Sequence, residues 1–232
     1  MSSRNKLWIA LGVAVFALLA WKLGMDWARA MRAEKGEVAV TGFRSARFGD
    51  TEDRVRAAIA KDFPGADIHA VESPVERTKL LVIRVKNVLP DSGNAEAIYV
   101  LGYKSKALIQ VNVFWGSRLT PGLTPQQLGI TATVLQQYFA SQDFVSSSVV
   151  KNEKLPSGAI LVFAGKDDAG HLVRLLYQVA DVPAKPTPDT GGSGKDAAAK
   201  PATPPEKVAA LRLSYIKDPV NPDVFKVEKG AF

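Results

Sequence analysis

Apolar and polar positions alternate most regularly in Ala95–Gly116, AEAIYVLGYKSKALIQVNVFWG. Ile98–Tyr103 is an apolar run, Lys104-Ser105-Lys106 a polar turn, and Leu108–Trp115 runs back. Ile109, Val111, Val113 and Trp115 share one face of the return strand, and Gln110 and Asn112 the other. A period of two marks a half-buried strand, so the stretch predicts a β-hairpin. A second hairpin is predicted over Ala159–Val179, AILVFAGKDDAGHLVRLLYQV. Leu80–Val88 predicts a further strand, with Leu81, Ile83 and Val85 inward and Arg84 and Lys86 outward.

Two segments change to helical spacing. In Phe48–Gly65, Val55, Ala58, Ile59 and Phe63 line one side, Asp50 is placed as the N-cap, Glu52 and Asp53 favour the first turn, and Pro64-Gly65 stops the helix. Thr124-Pro125-Gln126-Gln127 carries a stronger start signal: a capping threonine, proline at the first helical position and a glutamine that can close a capping box. Leu128, Ala132, Leu135 and Phe139 form its apolar stripe, and the helix is expected to end near Ser141–Asp143. Glu37–Arg47 reads as a short strand or connector, Ser146–Glu153 as a polar strand, and Leu155–Gly158 as a turn.

Both ends of the chain are different material. Leu7–Trp21 has no charge, and the apolar character resumes after Lys22 as far as Met25. As a helix, 7–25 spans about 28 Å, close to the hydrocarbon core of a bilayer. Trp8 and Trp21 bracket the run as interfacial aromatics do, and Lys22 can snorkel. A cleaved signal peptide is the competing reading. Cleavage after Ala20 would set Leu18 where a small residue is wanted, so an uncleaved single-pass anchor is expected. Positive charges flank the run on both sides and do not decide orientation. Long domains after a first apolar segment often translocate, which predicts the N-terminus inside and the domain outside. Pro183–Pro205, rich in proline and glycine, lacks the apolar content for a core and reads as a linker. Val208–Lys217 alternates again, Leu211, Leu213 and Tyr215 against Arg212 and Ser214, and predicts a strand returning to the edge of the second sheet. Asp218–Phe232 reads as a tail that docks on a partner subunit, or as plain disorder.

The expected organisation is therefore α+β. An anchor and juxtamembrane helix fill 1–35. Antiparallel sheet or sheets with helices packed on one face fill 36–182, with tandem helix–strand–hairpin repeats at 48–116 and 124–180. A linker follows over 183–207, then a strand and tail over 208–232. The proposed repeat aligns Ile98–Lys104 with Ile160–Lys166.

Composition narrows function. The chain has no cysteine, which removes disulfides, thiolate chemistry, cysteine-bound zinc and a lipidated cysteine. The net charge of +7 suggests nucleic acid only until it is divided. Residues 1–35 hold six basic and two acidic side chains, whereas 36–182 hold sixteen and fifteen. A nucleic-acid module concentrates its charge on the domain, so no nucleic-acid partner is expected.

The residue types that carry catalytic chemistry stand in ordinary structural settings. His69 falls in an expected loop and His171 at a hairpin turn, neither with a second ligand at metal spacing. Ser146-Ser147-Ser148 is not a nucleophile motif, Asp167-Asp168 is a turn pair, and no phosphate-binding glycine loop occurs. Tyr99, Tyr103, Phe114 and Trp115 read as cross-strand pairs and core before they read as a ligand platform. Arg44, Arg47, Arg54 and Arg56 stand beside Asp50, Glu52 and Asp53 and are expected to pair locally. No catalytic, cofactor-binding or metal residue is assigned, and no cofactor is expected.

Phe48-Gly49-Asp50-Thr51-Glu52-Asp53-Arg54-Val55 resembles the helix start of small BamE-like envelope proteins. The helix-then-antiparallel-strands order is similar too, and its doubling resembles tandem β-lactamase-inhibitor-like repeats. The resemblance implies a non-enzymatic binding or assembly domain of the bacterial envelope, and it carries no functional residue over. The chain departs from the BamE-like pattern by lacking a lipidated cysteine and having an apolar N-terminal run. The expected protein is a single-pass inner-membrane protein with a periplasmic domain. It would bind other envelope proteins as scaffold, assembly factor or accessory subunit, and the bilayer through 7–25. The alternatives are an envelope hydrolase with an unrecognised site, and a small-ligand or cell-wall sensor with a polar pocket between helix and sheet.

Overall fold

Leu211, Leu213 and Tyr215 sit in the middle of one continuous sheet. The computed structural model describes residues 38–182 and 206–227. It places β1 (Gly42–Phe43), β2 (Ala46–Arg47), α1 (Glu52–Asp62), β3 (His69–Glu72), β4 (Lys79–Lys86), β5 (Asn94–Leu101) and β6 (Leu108–Gly116) in the first half. The second half holds α2 (Pro125–Ala140), a 3₁₀ turn (Ser146–Ser148), β7 (Val150–Lys154), β8 (Ile160–Lys166), β9 (Leu172–Val182) and β10 (Glu206–Ile216). The strand order is β3-β4-β5-β6-β10-β9-β8-β7, antiparallel throughout, and β1 and β2 form a separate two-residue hairpin. β10 thus corrects the expectation of a strand at the edge of a second sheet. It lies between β6 and β9, with Leu213 opposite Val113 on one side and Leu175 on the other.

The halves mirror one another about the β6–β10 seam, each running helix and then four strands. By position, β5 corresponds to β9 and β6 to β10. The alignment of Ile98–Lys104 with Ile160–Lys166 matched β5 to β8 and was one strand out of step. Val182 and Glu206, the described residues on either side of 183–205, are register partners.

Tyr99, Val111, Val113, Trp115, Leu211, Leu213, Leu175 and Phe163 point to one face and are buried. Both helices lie on that face. Phe63, which ends α1, stacks on Phe43 at 6.3 Å, and Phe43 reaches Tyr99 and Tyr215. Phe139 of α2 meets Phe163 at 5.7 Å and Tyr215 at 6.4 Å. Burial pushes the Tyr99 and Tyr215 phenols far above their ordinary range, so both remain neutral. Each large side chain buried here contributes about 2 kcal/mol of transfer free energy.

Local signals held unevenly. Thr124 accepts from the Gln127 amide, and the Gln127 side chain accepts from the Thr124 amide, completing the capping box. Asp50 does not cap α1. Its carboxylate is drawn to the Arg47 amide at 2.7 Å, which leaves Thr51 as the N-cap without a side-chain bond. His69 lies in β3, an edge strand whose four residues are all exposed and which therefore lacks alternation. Ser146–Ser148 form a 3₁₀ turn because the Ser148 hydroxyl bonds back to the Val145 carbonyl at 2.6 Å, and the strand starts only at Val150.

The tail corrects the alternative of plain disorder as far as it is described. Where it is described, to Val227, it packs on its own domain. The Tyr103 amide donates to the Asp223 carbonyl, the Phe225 amide to the Glu76 carbonyl, and Phe225 lies between Tyr103 at 5.5 Å and the Arg77 guanidinium at 4.4 Å. The anchor at 7–25, the juxtamembrane helix that follows it, residues 183–205 of the linker and residues 228–232 lie outside the described residues, while Glu206 and Lys207, expected in the linker, begin β10. Among the described residues no helix is long and apolar enough to cross a membrane.

Candidate functional site

The side chains singled out for chemistry do not converge. His69 is exposed at the β3 edge, its Nε2 3.2 Å from Asp67. His171 sits at the other end of the chain's topology, its Nδ1 3.0 Å from Asp167 and its ring against Phe48. Asp167 is buried and also accepts from the amides of His171 and Val40 at 2.8 Å, so it pins the start of the domain to the β8–β9 turn. That is more than the turn chemistry expected of it. Among the described residues no group of three His, Asp or Glu side chains gathers as metal ligands do.

The arginine cluster disperses into local contacts. Arg56 pairs with Glu52 at 2.9 Å, Arg44 stacks over Phe63 at 4.6 Å, and the Arg47 guanidinium donates to the Arg44 carbonyl. Glu52 also takes Lys79 at 2.7 Å, and that hydrogen bond holds its carboxyl below the usual range despite some burial. Glu52 and Lys79 border a cleft of about 760 Å³ between the start of α1, β3 and the β5–β6 turn, which Asp53, Glu72, Arg77 and Lys106 also line. Within that lining Glu52 and Lys79 form an ion pair, while Arg77 lies over Phe225 and Lys106 over Tyr103. A smaller hollow of about 240 Å³ lies between Arg84, Asn94 and Arg118.

Two broader surfaces are built differently. The first is the outer side of α2. Its sixteen residues include no Asp, Glu, Lys or Arg. The inner stripe Leu128, Ala132, Leu135 and Phe139 is buried as expected. A second stripe at i, i+4 and i+8 faces outward: Ile130 is 64% exposed, Val134 52% and Tyr138 58%. Gln136 marks the opposite flank, where it donates to the Val162 carbonyl at 2.7 Å and to Asn152. Ile160 and Val179, also exposed, lie on the helix-bearing face of the same half. Scattered apolar residues are ordinary on a surface, but a continuous uncharged stripe is a recognition feature.

The second surface is the sheet face that bears no helix. One row across it reads Arg84, Glu96, Phe114, Arg212, Leu176; the next reads Val82, Ile98, Asn112, Ser214, Arg174, Ala164. Of the four aromatics read as core or platform, Tyr99 and Trp115 are core, Phe114 is half-buried on this face, and Tyr103 packs against Phe225. The Ser214 hydroxyl and the Gln110 amide both donate to Asn112 Oδ1, at 2.8 and 2.9 Å.

Compared with protein-family models, with curated proteins and with solved structures, the chain matches none.

Proposed function

We propose that the chain is a non-enzymatic, membrane-anchored protein-binding module of the bacterial inner membrane, its domain in the periplasm. It would act as scaffold, assembly factor or accessory subunit of a membrane protein complex. The outer stripe of α2 carries this reading. Ile130, Val134 and Tyr138 stand in water on a helix whose inner stripe already supplies the core, so the fold gains nothing from their exposure. The occupant that fits is the apolar surface of another subunit, because a sixteen-residue face without charge offers no electrostatic reward to an acidic or basic partner. The apolar run at 7–25, uncharged as far as Trp21, supports the membrane tether. Resemblance of Phe48–Val55 to an envelope-domain helix start supports the compartment.

The test is capture of the full-length tagged chain from detergent-solubilised native membranes. Ile130→Glu with Val134→Glu is expected to remove the specific co-purifying subunits and to leave the thermal midpoint within about 2 °C, since both positions are exposed. An unchanged set of co-purifying proteins contradicts the proposal.

A further inference from the structure

Arg174 and Arg212 stand on neighbouring strands of the uncovered sheet face with no carboxylate within ion-pair distance among the described residues. Arg212 is opposite Leu176 on β9 and Phe114 on β6, and Arg174 is opposite Ser214 on β10. The two arginines are therefore diagonal neighbours, about 7 Å apart at the strand level and within reach of one another's long side chains. Arg174 Nε is covered by protein and donates to no group among the described residues. The acidic side chains described on this face stand off to its sides. Glu96 lies beyond Phe114, 3.9 Å from Arg84, and Glu153 is on the far edge strand β7. Burial, and the like charge of Arg212, both press on the Arg174 cation. Holding two like charges together in a half-buried setting costs free energy that an opposite charge recovers.

We infer that Arg174 and Arg212, with the Ser214–Asn112–Gln110 row beside them, form a recognition site for carboxylates of an acidic polypeptide segment laid across the open sheet face. Guanidinium forks match carboxylates in two parallel hydrogen bonds, and Arg174 and Arg212, unpaired among the described residues, set two such groups on neighbouring strands of the open face. Half-buried Phe114 and Leu176 on either side of Arg212 supply apolar contact for the intervening side chains. Asn112 uses its carbonyl oxygen for Ser214 and Gln110, so its amide group remains a donor for a carbonyl of the segment. This deepens the reading of the chain as a binding module but uses a surface opposite the α2 stripe.

The test follows the arginine Nε–Hε resonances of the full-length chain in zwitterionic detergent micelles. The probes are a blocked hexaglutamate peptide, a blocked hexaglutamine peptide, inorganic phosphate and phosphatidylglycerol vesicles. Hexaglutamate is expected to shift the Arg174 Nε–Hε signal saturably, and hexaglutamine to leave it in place. Binding should weaken about ten-fold or more in Arg212→Gln and in Arg174→Gln, and should persist in Arg84→Gln. Arg174→Lys keeps the charge, loses the fork and is expected to weaken binding as well. Arg212 is half-exposed, so its variant tests the site even where a substitution of Arg174 impairs folding. Absence of a hexaglutamate shift overturns the inference, as does one that survives Arg212→Gln. A stronger response to phosphate or to the vesicles overturns it in favour of a phosphate-type anion. Any of these failures leaves the capture experiment on α2 unaffected, and loss of partners from the α2 variant leaves this titration unaffected.

Discussion

Gly102 packs so closely against Asp223 that a β-carbon on Gly102 would overlap the Asp223 carboxylate and stand 2.7 Å from the Ser105 hydroxyl. The absence of a side chain at the β5–β6 turn lets that carboxylate accept from the amides of Lys104 at 2.9 Å and Ser105 at 2.8 Å. A tail residue distant in sequence thereby closes the turn of the central hairpin. Gly102→Ala is expected to cost about 1–3 kcal/mol through overpacking, and Asp223→Ala about 1 kcal/mol because the site is largely solvated. Equilibrium urea unfolding checks both. Removal of 218–232 should lower stability by at least as much as Asp223→Ala, in contrast to a tail that serves only a partner.

Acid should release the same clamp. Burial works to raise the Asp223 pKa, but the Ser105 hydroxyl, the Lys104 and Ser105 amides and the Lys104 charge outweigh it and hold the group below its ordinary 3.8. A carboxylate depressed in the folded state contributes stability that is present above the ordinary value and lost as pH falls through the folded one. The stability difference between the wild-type chain and Asp223→Asn is therefore expected to be constant at neutral pH and to shrink below about pH 4. A difference that grows on acidification contradicts the assignment.

The central position of β10 gives a prediction that an edge strand would not. Truncation after Val182 removes the strand that joins the halves and should abolish cooperative folding. Val182 and Glu206 already face one another, so replacing 183–205 with Asn-Gly should preserve the fold. Shortening that connection is expected to add up to about 2 kcal/mol of stability from reduced loop-closure entropy. Circular dichroism and urea unfolding of the two variants decide it.

Trp115 is 2% exposed between Ala95 and Leu211, and its indole Nε1 has no partner among the described residues. Trp115→Ala is expected to cost about 3–5 kcal/mol. Trp115→Phe, which deletes the orphaned donor along with part of the ring volume, should cost about half of that or less. The ratio of the two, from unfolding curves, separates packing from the polar burden of the indole.

Much of this was readable from spacing alone. Period-two alternation in Leu81–Val85, Ile109–Trp115 and Leu211–Tyr215 places each side chain on its observed face, and Thr124–Gln127 marks the start of α2. β3 was not readable, because an edge strand exposed on both faces has no alternation to detect. The single sheet was not readable either. The β6–β10 pairing joins residues about a hundred positions apart, and nothing local specifies it. The α2 outer stripe was present at regular spacing, but the inner stripe already accounted for an apolar helix. Arg174 and Arg212 became neighbours only through the β9–β10 register.

What touches Val134 tests the proposed binding role most directly. A photoreactive amino acid placed there in the full-length chain, irradiated in native membranes, reports the occupant of the α2 stripe. The account predicts a discrete higher-mass adduct with another membrane-complex subunit, lost when Ile130 is changed to Glu and absent when the probe stands at exposed Lys151 on β7. Crosslinking only to lipid or only within the chain, or equal yield at both positions, would contradict it.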